Sequence, residues 1–261
     1  MTNFSKRIFS ALILFLFFFL SFYSKDKLFF ISLISIISLI SLFEMRNLLK
    51  LKGINLFIFW CFPLGAFFLH FFDFYKLNFF VIFSAFFWIF IAPIYLLKDK
   101  MQINFLRPFY GLIIIFGLYL SIYHLYLNDR LLLLISILIV WIADIFAYFS
   151  GKAFGKRKIA PSLSPGKTFE GFYGGFIANF VFVMILSIFL DYSFKKLILL
   201  VLVTVPFAFI GDLFESLLKR GSGKKDSGCL IPGHGGILDR IDSLCPTLVL
   251  ASFLSFLGFV L

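Results

Sequence analysis

Charge is scarce in this sequence. Lys, Arg, Asp and Glu make up only 14% of its 261 residues, against 62% hydrophobic, and the mean hydropathy is +1.05. A soluble domain of this length has no interior large enough to hide so much apolar surface, so an integral membrane protein is indicated. Acid is scarcer than base, with 13 residues against 24. The net charge of +11 invites a nucleic-acid reading, but the basic residues sit in short loops between apolar runs. Retention of Lys and Arg on the cytoplasmic side of a membrane predicts that distribution, and nucleic acid is not expected as a partner. The three cysteines, Cys61, Cys229 and Cys245, show no metal-ligand spacing and form no even set, which argues against a thiolate metal centre and a disulfide framework. No connection is long enough to hold a separate soluble domain, and no internal repeat is visible. Lys6 and Arg7 precede an apolar run as in a leader peptide, but no small-residue cleavage site follows near residues 21–25, so this run reads as a retained first helix.

What is abundant is apolar length. Crossing the hydrocarbon needs roughly 20 mostly apolar residues, and nine segments are expected to do so: 8–23, 28–43, 54–72, 77–97, 108–127, 131–150, 171–190, 196–216 and 244–261. The expected fold is therefore all-α, a polytopic membrane protein of about nine transmembrane helices. The 43 phenylalanines read as bilayer-facing bulk. With the N-terminus inside, eighteen of the 24 Lys and Arg fall on the cytoplasmic side and six outside, which sets the expected orientation. It also places the two richest polar loops in the cytoplasm, where nucleotides are found. The chain reads as one membrane domain, 1–261, in which 1–130 is a helical scaffold and 131–261 carries the chemistry. Within the first half, Glu44, Arg46 and Asn47 sit at a helix end, Pro63, Pro93 and Pro108 are tolerable kinks or boundaries, and His70 and His124 read as lone interfacial histidines.

The informative part begins at Asp144, in WIADIFAYFSGKAFGKRKIAPSLSPGKTFEG. A carboxylate this far inside an apolar run is expensive and, by default, functional. Asp144, Tyr148 and Gly151 share a helical face. Lys152, Lys156, Arg157, Lys158 and Lys167 follow as a cationic lip, part of which is ordinary positive-inside charge. Ser164 and Pro165 are expected as N-cap and first residue of the seventh helix, which would put Lys167 in its first turn. A helix N-terminus with an added ammonium would make a phosphate cradle. Further on, Asp212, Glu215, Ser216 and Lys219 fall at helical spacing on one stripe. The alternative is a polar stripe that faces a neighbouring helix in an internal salt-bridge network, a reading that suits Glu215 better than Asp212.

Residues 216–243 read SLLKRGSGKKDSGCLIPGHGGILDRIDS. Five basic residues, three carboxylates, a histidine and six glycines stand between two apolar segments. Glycines let backbone approach a ligand closely, Lys and Arg bind phosphate, and carboxylates hold a hard cation. Together these types suggest a nucleotide–metal site. Asp242 or Ser243 could simply cap the last helix, whereas Asp239 lies too early for that role. Asp212 and Asp239 are expected to meet at one cation, which would remove the cost of two unpaired charges.

This stretch resembles the phosphatidate cytidylyltransferase, or CDP-diacylglycerol synthase, family. The resemblance is carried by Ser216-x-Leu218-Lys219-Arg220, Lys225-Asp226-x-Gly228, Pro232-Gly233-His234-Gly235-Gly236 and Asp239-Arg240-Ile241-Asp242. Upstream it is carried by Asp144, Ala147-Tyr148, Gly151-Lys152, Gly155-Lys156, Ser164-Pro165, Lys167-Thr168 and Glu170-Gly171, with Phe169 where members of the family often have Trp. It covers roughly residues 140–245 and implies transfer of CMP from CTP to phosphatidate with Mg²⁺, a second, monovalent cation being left open. The acceptor phosphate is largely dianionic at neutral pH and needs no strong base. The work is therefore positioning and charge neutralisation. The expected catalytic residues are Asp212, Lys219, Asp239 and His234. Substrate is expected at Ser164, Lys167, Ser216, Arg220, Lys225, Gly235, Gly236 and Arg240. Metal is expected at Asp212 and Asp239 first, then at Asp226, Asp242 and Asp144. His234 serves equally well as packing within the glycine turn. CTP, phosphatidate and membrane lipids are the implied partners, a homodimer is left open, and the expected location is the inner, cytoplasmic membrane.

Two other readings stand beside it. A polyprenol kinase-like lipid enzyme would share the loop chemistry but use its nucleotide's γ-phosphate; a CDP-alcohol phosphotransferase would need Asp-Gly-x-x-Ala-Arg, which is absent. Intramembrane Asp144 and Asp212 could also serve an ion or lipid transporter. Against that, the polar groups cluster on one side, and no inverted repeat of broken helices is visible.

Overall fold

A computed structural model describes residues 20, 22–24, 27–57, 59–60, 78–98, 107–190, 192–230 and 235–258. Among these, six helical stretches are long and apolar enough to cross a membrane. The first is α1, Lys27–Leu49. The next is composite: α2 (Asn78–Phe86), a π-helical turn (Phe87–Ile91) and α3 (Ala92–Lys98). Then follow α4 (Arg107–Asn128), α5 (Arg130–Phe154), α6 (Phe169–Phe189) and α7 (Phe194–Ser222). A four-residue helix, α8 (Leu238–Ile241), leads into α9 (Leu244–Phe256). The protein is thus an all-helical polytopic membrane protein with one small hairpin. The expected segments 8–23 and 54–72 lie largely outside the described residues, as do His70 and His234.

Helix α9 lies at the centre. Its thirteen residues span about 20 Å, short of a hydrocarbon core of about 30 Å. Cys245, Thr247, Leu248, Val249, Leu250, Ala251 and Ser252 are all buried, so it is covered all round, as a core helix must be. It packs against α4, α7, α5 and α2. His124 of α4 is held there, with its Nδ1 3.0 Å from Ser252 Oγ and its ring over Phe256.

Helices α5 and α6 pack closely against each other. The buried residues of α6 are Gly171, Gly175, Asn179 and Val183, a single i, i+4 stripe. This stripe meets Ala143, Ala147 and Gly151 of α5. A Cβ on Gly175 would stand 2.7 Å from the Ala143 carbonyl, and one on Gly171 would stand 2.7 Å from that of Ala147. Small residues on both faces let the two backbones approach, which is how helices associate where lipid offers no hydrophobic drive. The opposite face of α6, with Ile177, Val181, Met184 and Ile188, is exposed, as a lipid-facing surface would be.

The segment between α5 and α6 departs from expectation. Ser164 does not cap a helix and Pro165 does not begin one. Lys158–Ala160 (β1) and Ser164–Thr168 (β2) instead pair antiparallel, with Lys158 opposite Thr168 and Ala160 opposite Ser164. The helix starts at Phe169, where Thr168 is the N-cap and its Oγ1 accepts the Gly171 N–H at 3.1 Å. The reason is local. Gly166 is a poor helix former, while Thr168 supplies a capping oxygen. Glu170 in the first turn accepts the Lys156 and Arg157 N–H groups at 3.1 and 3.2 Å, tying the hairpin to the helix. Lys167 therefore lies on a strand and not in a helical first turn.

Helix α7 has 29 residues, about 44 Å, and so overruns the hydrocarbon. It ends in a Schellman turn. Gly223 at φ +75° donates to Arg220 O, and the Lys224 N–H reaches Lys219 O at 2.9 Å. That turn delivers the chain into the polar loop.

Candidate functional site

The hairpin, α5 and α7 enclose a cavity of about 330 Å³. Its walls include Asp144 and Tyr148 of α5, Ser164 and Lys167 of β2, and Phe209 and Asp212 of α7. Lys167 Nζ lies 2.6 Å from Asp212 Oδ2 and 4.8 Å from the centre of the Phe209 ring. The Ser216 hydroxyl makes a long 3.5 Å contact with Asp212 Oδ1. The strand, by turning Lys167 across the hairpin, does what the expected helix N-terminus would not have done. It sets the ammonium against the carboxylate of another helix. Asp144 stands on the wall of this cavity.

A second polar group lies around Lys219. Its Nζ sits 2.7 Å from Glu215 Oε2 and 2.8 Å from Asp239 Oδ1. Asp239 is fully engaged, since its Oδ2 accepts the Ser227 N–H at 2.9 Å, the Gly236 N–H at 2.8 Å and the Ser227 hydroxyl at 2.9 Å. Burial alone would push the Asp239 carboxyl up, but the Lys219 ammonium and these donors outweigh it and hold the group below its usual range. Asp242 shows the opposite balance. Burial and the charge of Asp212 raise it, against the Ser243 N–H that it accepts at 2.7 Å. Gly211 lets α7 meet the chain here, since a Cβ would come within 2.8 Å of Pro246 Cγ.

Asp212 and Asp239 were expected to meet at one cation. In this arrangement each is paired with a different ammonium, that of Lys167 or of Lys219. Gly235 takes φ +82°, a conformation that favours glycine, and the Gly236 N–H that was expected to cradle phosphate is given to Asp239. Arg220, Lys225, Asp226 and Arg240 are exposed around the loop.

The residue that sequence reasoning passed over is Glu44. It stands on α1 and is 6% exposed. Its Oε1 accepts the Ile237 N–H at 3.0 Å, and its Oε2 accepts the Leu238 N–H at 2.8 Å and lies 3.0 Å from the Ser227 hydroxyl. The signal was weak: Glu44 closes a long apolar run but stands at a helix end, whereas Asp144 stands deep inside one.

Among the described residues no group of three or more His, Cys, Asp or Glu is arranged to hold a metal ion. Mg²⁺ does not require one, since it is commonly bound by one or two carboxylates, waters and substrate phosphates. Asp212 and Asp144, which share a cavity, fit that donor set. Lys167 and Lys219 also place a cationic group directly against Asp212 and Asp239.

Fold and site together define a polytopic membrane protein with a Lys167–Asp212 ion pair on the wall of a cavity between its helices and a second ammonium–carboxylate cluster around Lys219. Residues 5–257 match the model of the Cytidylyltransferase family, and the chain belongs to that family. It is similar to proteins named phosphatidate cytidylyltransferase. One from Haemophilus influenzae is 50% identical over 131 residues, 48% of this chain and 46% of the relative. One from Pseudomonas aeruginosa is 50% identical over 116 residues, 43% of each chain. One from Staphylococcus saprophyticus is 44% identical over 124 residues, 47% of this chain and 48% of the relative. The aligned part of the chain thus spans about half the length of the curated relatives it matches.

Proposed function

We propose that the protein transfers CMP from CTP to phosphatidate in the inner membrane, with its N-terminus and polar loops in the cytoplasm. A phosphate oxygen of phosphatidate forms a new bond to the α-phosphorus of CTP. The bond from that phosphorus to the β-phosphate's bridging oxygen breaks. CDP-diacylglycerol and pyrophosphate are the products. The observation that carries this reading is the 330 Å³ cavity, in which an ammonium, two carboxylates and a hydroxyl stand beside Tyr148 and Phe209. Such a cavity suits a ligand with a multiply charged head and an apolar body. The names of the relatives supply the nucleotide and the lipid.

The chemistry asks the protein to bring two polyanions together and to stabilise the charge that moves to the leaving pyrophosphate. Lys167 neutralises phosphate when it exchanges Asp212 for substrate, and Ser164 donates to a phosphate oxygen from the same wall. Lys219, held between Glu215 and Asp239, keeps the end of α7 in register with the loop. Arg220, Lys225 and Arg240 add positive potential on the exposed rim and draw the nucleotide in. Asp212 and Asp144 would hold Mg²⁺ at the cavity wall, with Asp242 on the loop side, and Asp239 would join them only on releasing Lys219. When bound, Mg²⁺ would supply charge neutralisation on the phosphates and align attacking and leaving oxygens.

The test uses purified protein in detergent, phosphatidate and labelled CTP, with Mg²⁺ or with EDTA, read on a thin-layer plate. A lipid-linked CMP formed only with Mg²⁺ is expected. No lipid product from folded protein with CTP, dCTP or ATP would overturn the reading.

A further inference from the structure

Glu44 belongs to the half of the chain that carries none of the motif residues, yet the polar loop is built around it. Its carboxylate accepts the N–H groups of Ile237 and Leu238, at 3.0 and 2.8 Å, across more than 190 residues of sequence. Among the described residues no Lys or Arg forms a salt bridge with it. A buried carboxylate without a cation is tolerable only when donors surround it, and here the loop provides them. The fit is close on both sides. A Cβ at Gly228 or at Gly236 would run into the Glu44 oxygens, so glycine is the residue that leaves them room.

The Ser227 hydroxyl couples Glu44 to the site. It lies 3.0 Å from Glu44 Oε2 and 2.9 Å from Asp239 Oδ2, and it has one proton to donate. The Gly236 N–H, next in the chain to the Ile237 N–H that Glu44 takes, goes to Asp239 Oδ2. Asp239 in turn holds Lys219 with its other oxygen. The orientation of the Asp239 carboxylate therefore depends on a segment, 236–238, whose backbone is held from α1.

We propose that Glu44 is a positioning residue for the transfer reaction: by fixing Ile237 and Leu238 and sharing Ser227, it sets the placement of Asp239 and Lys219. This rests on the CMP-transfer reading above. A fault in placement costs turnover more than substrate binding, because orientation is needed most in the transition state.

The experiment compares the full chain with Glu44→Gln and with Ser227→Ala, in detergent. The glutamine keeps the shape and one acceptor oxygen but turns an NH₂ toward N–H donors. Expected for Glu44→Gln is a kcat lower by about 10–100-fold with KM for CTP within about 3-fold. Hydrogen exchange in peptides containing Ile237 and Leu238 should be faster, while the melting temperature stays near that of the wild type. Ser227→Ala should show a smaller fall of the same kind, and it carries the test if Glu44→Gln does not fold. A wild-type kcat in both variants, a loss confined to KM, or unchanged exchange at Ile237 and Leu238 overturns the inference while the activity reading stands. If the wild-type protein makes no lipid-linked CMP, the activity reading fails and the catalytic part of the inference falls with it. Exchange then still decides the anchoring: faster exchange in Glu44→Gln upholds it, and unchanged exchange overturns it.

Discussion

Lys167 on the hairpin places its ammonium 2.6 Å from the Asp212 carboxylate of α7, 45 positions further along the chain. The pair lines the cavity, with side chains 16% and 31% exposed, so water reaches it and a substrate phosphate can compete for the lysine. Lys167→Met keeps the apolar stem against Phe209 and removes the charge. It is expected to lower kcat/KM by about 100-fold or more, as loss of a preorganised cationic contact does. Stability should fall by less than about 3 kcal/mol, because the partly exposed Asp212 is re-solvated. Steady-state kinetics and thermal unfolding of the same preparation check both parts. Activity within about 3-fold of the wild type would remove Lys167 from the site.

Asp239 links Lys219, Ser227 and Gly236, and its carboxyl is held below the usual range. A group whose folded pKa is depressed adds stability above its unfolded pKa, about 3.9 for Asp, and loses it as pH falls through the lower folded value. The stability difference between wild type and Asp239→Asn, measured in EDTA, should therefore be constant from about pH 7 to pH 5 and shrink below about pH 4. Turnover of Asp239→Asn should drop to below about a tenth of wild type, whether the carboxylate places Lys219 or meets the cation itself. A difference that grows toward acid would show that the carboxylate is not stabilised in the folded protein.

Gly175 has the Ala143 carbonyl 2.7 Å from where its Cβ would be, with other α5 backbone atoms at 3.2 and 3.3 Å. Backbone cannot step aside as a side chain can. Gly175→Val should force α5 and α6 apart and destabilise by about 1–3 kcal/mol. Because Asp144 lies beside Ala143, activity should fall as well. Ile177→Val, on the exposed face of the same helix, should change neither. Melting curves in detergent separate the two, and equal melting temperatures for both variants would remove the close-packing argument.

Much of this protein was legible one residue at a time. Apolar length and the scarcity of charge specify a polytopic helical membrane protein, since a bilayer imposes one solvent rule on every crossing segment. The expected 108–127, 131–150 and 171–190 differ from α4, α5 and α6 by a few residues at their ends. Lys219, Asp239 and their glycine neighbours were visible as motif residues because unusual types stand together in sequence. Ser164 and Pro165 misled because Gly166 opposes the helix they would begin, while Thr168 caps a later start and leaves 164–168 to pair as a strand.

Composition and order of residues by themselves determined the class, the family resemblance and the stretch that holds the chemistry, because each depends on residue types at short range. Only the tertiary structure decided who pairs with whom. Whether Asp212 faces Asp239 or Lys167 depends on how α5, α6 and α7 pack, which their glycines permit but do not announce. Glu44 shows this most plainly. Its partners, Ser227, Ile237 and Leu238, lie more than 180 residues away and offer backbone N–H groups or a serine hydroxyl, and neither sets these positions apart in the sequence. A buried carboxylate takes whatever donors the fold brings to it, and that choice is made by packing.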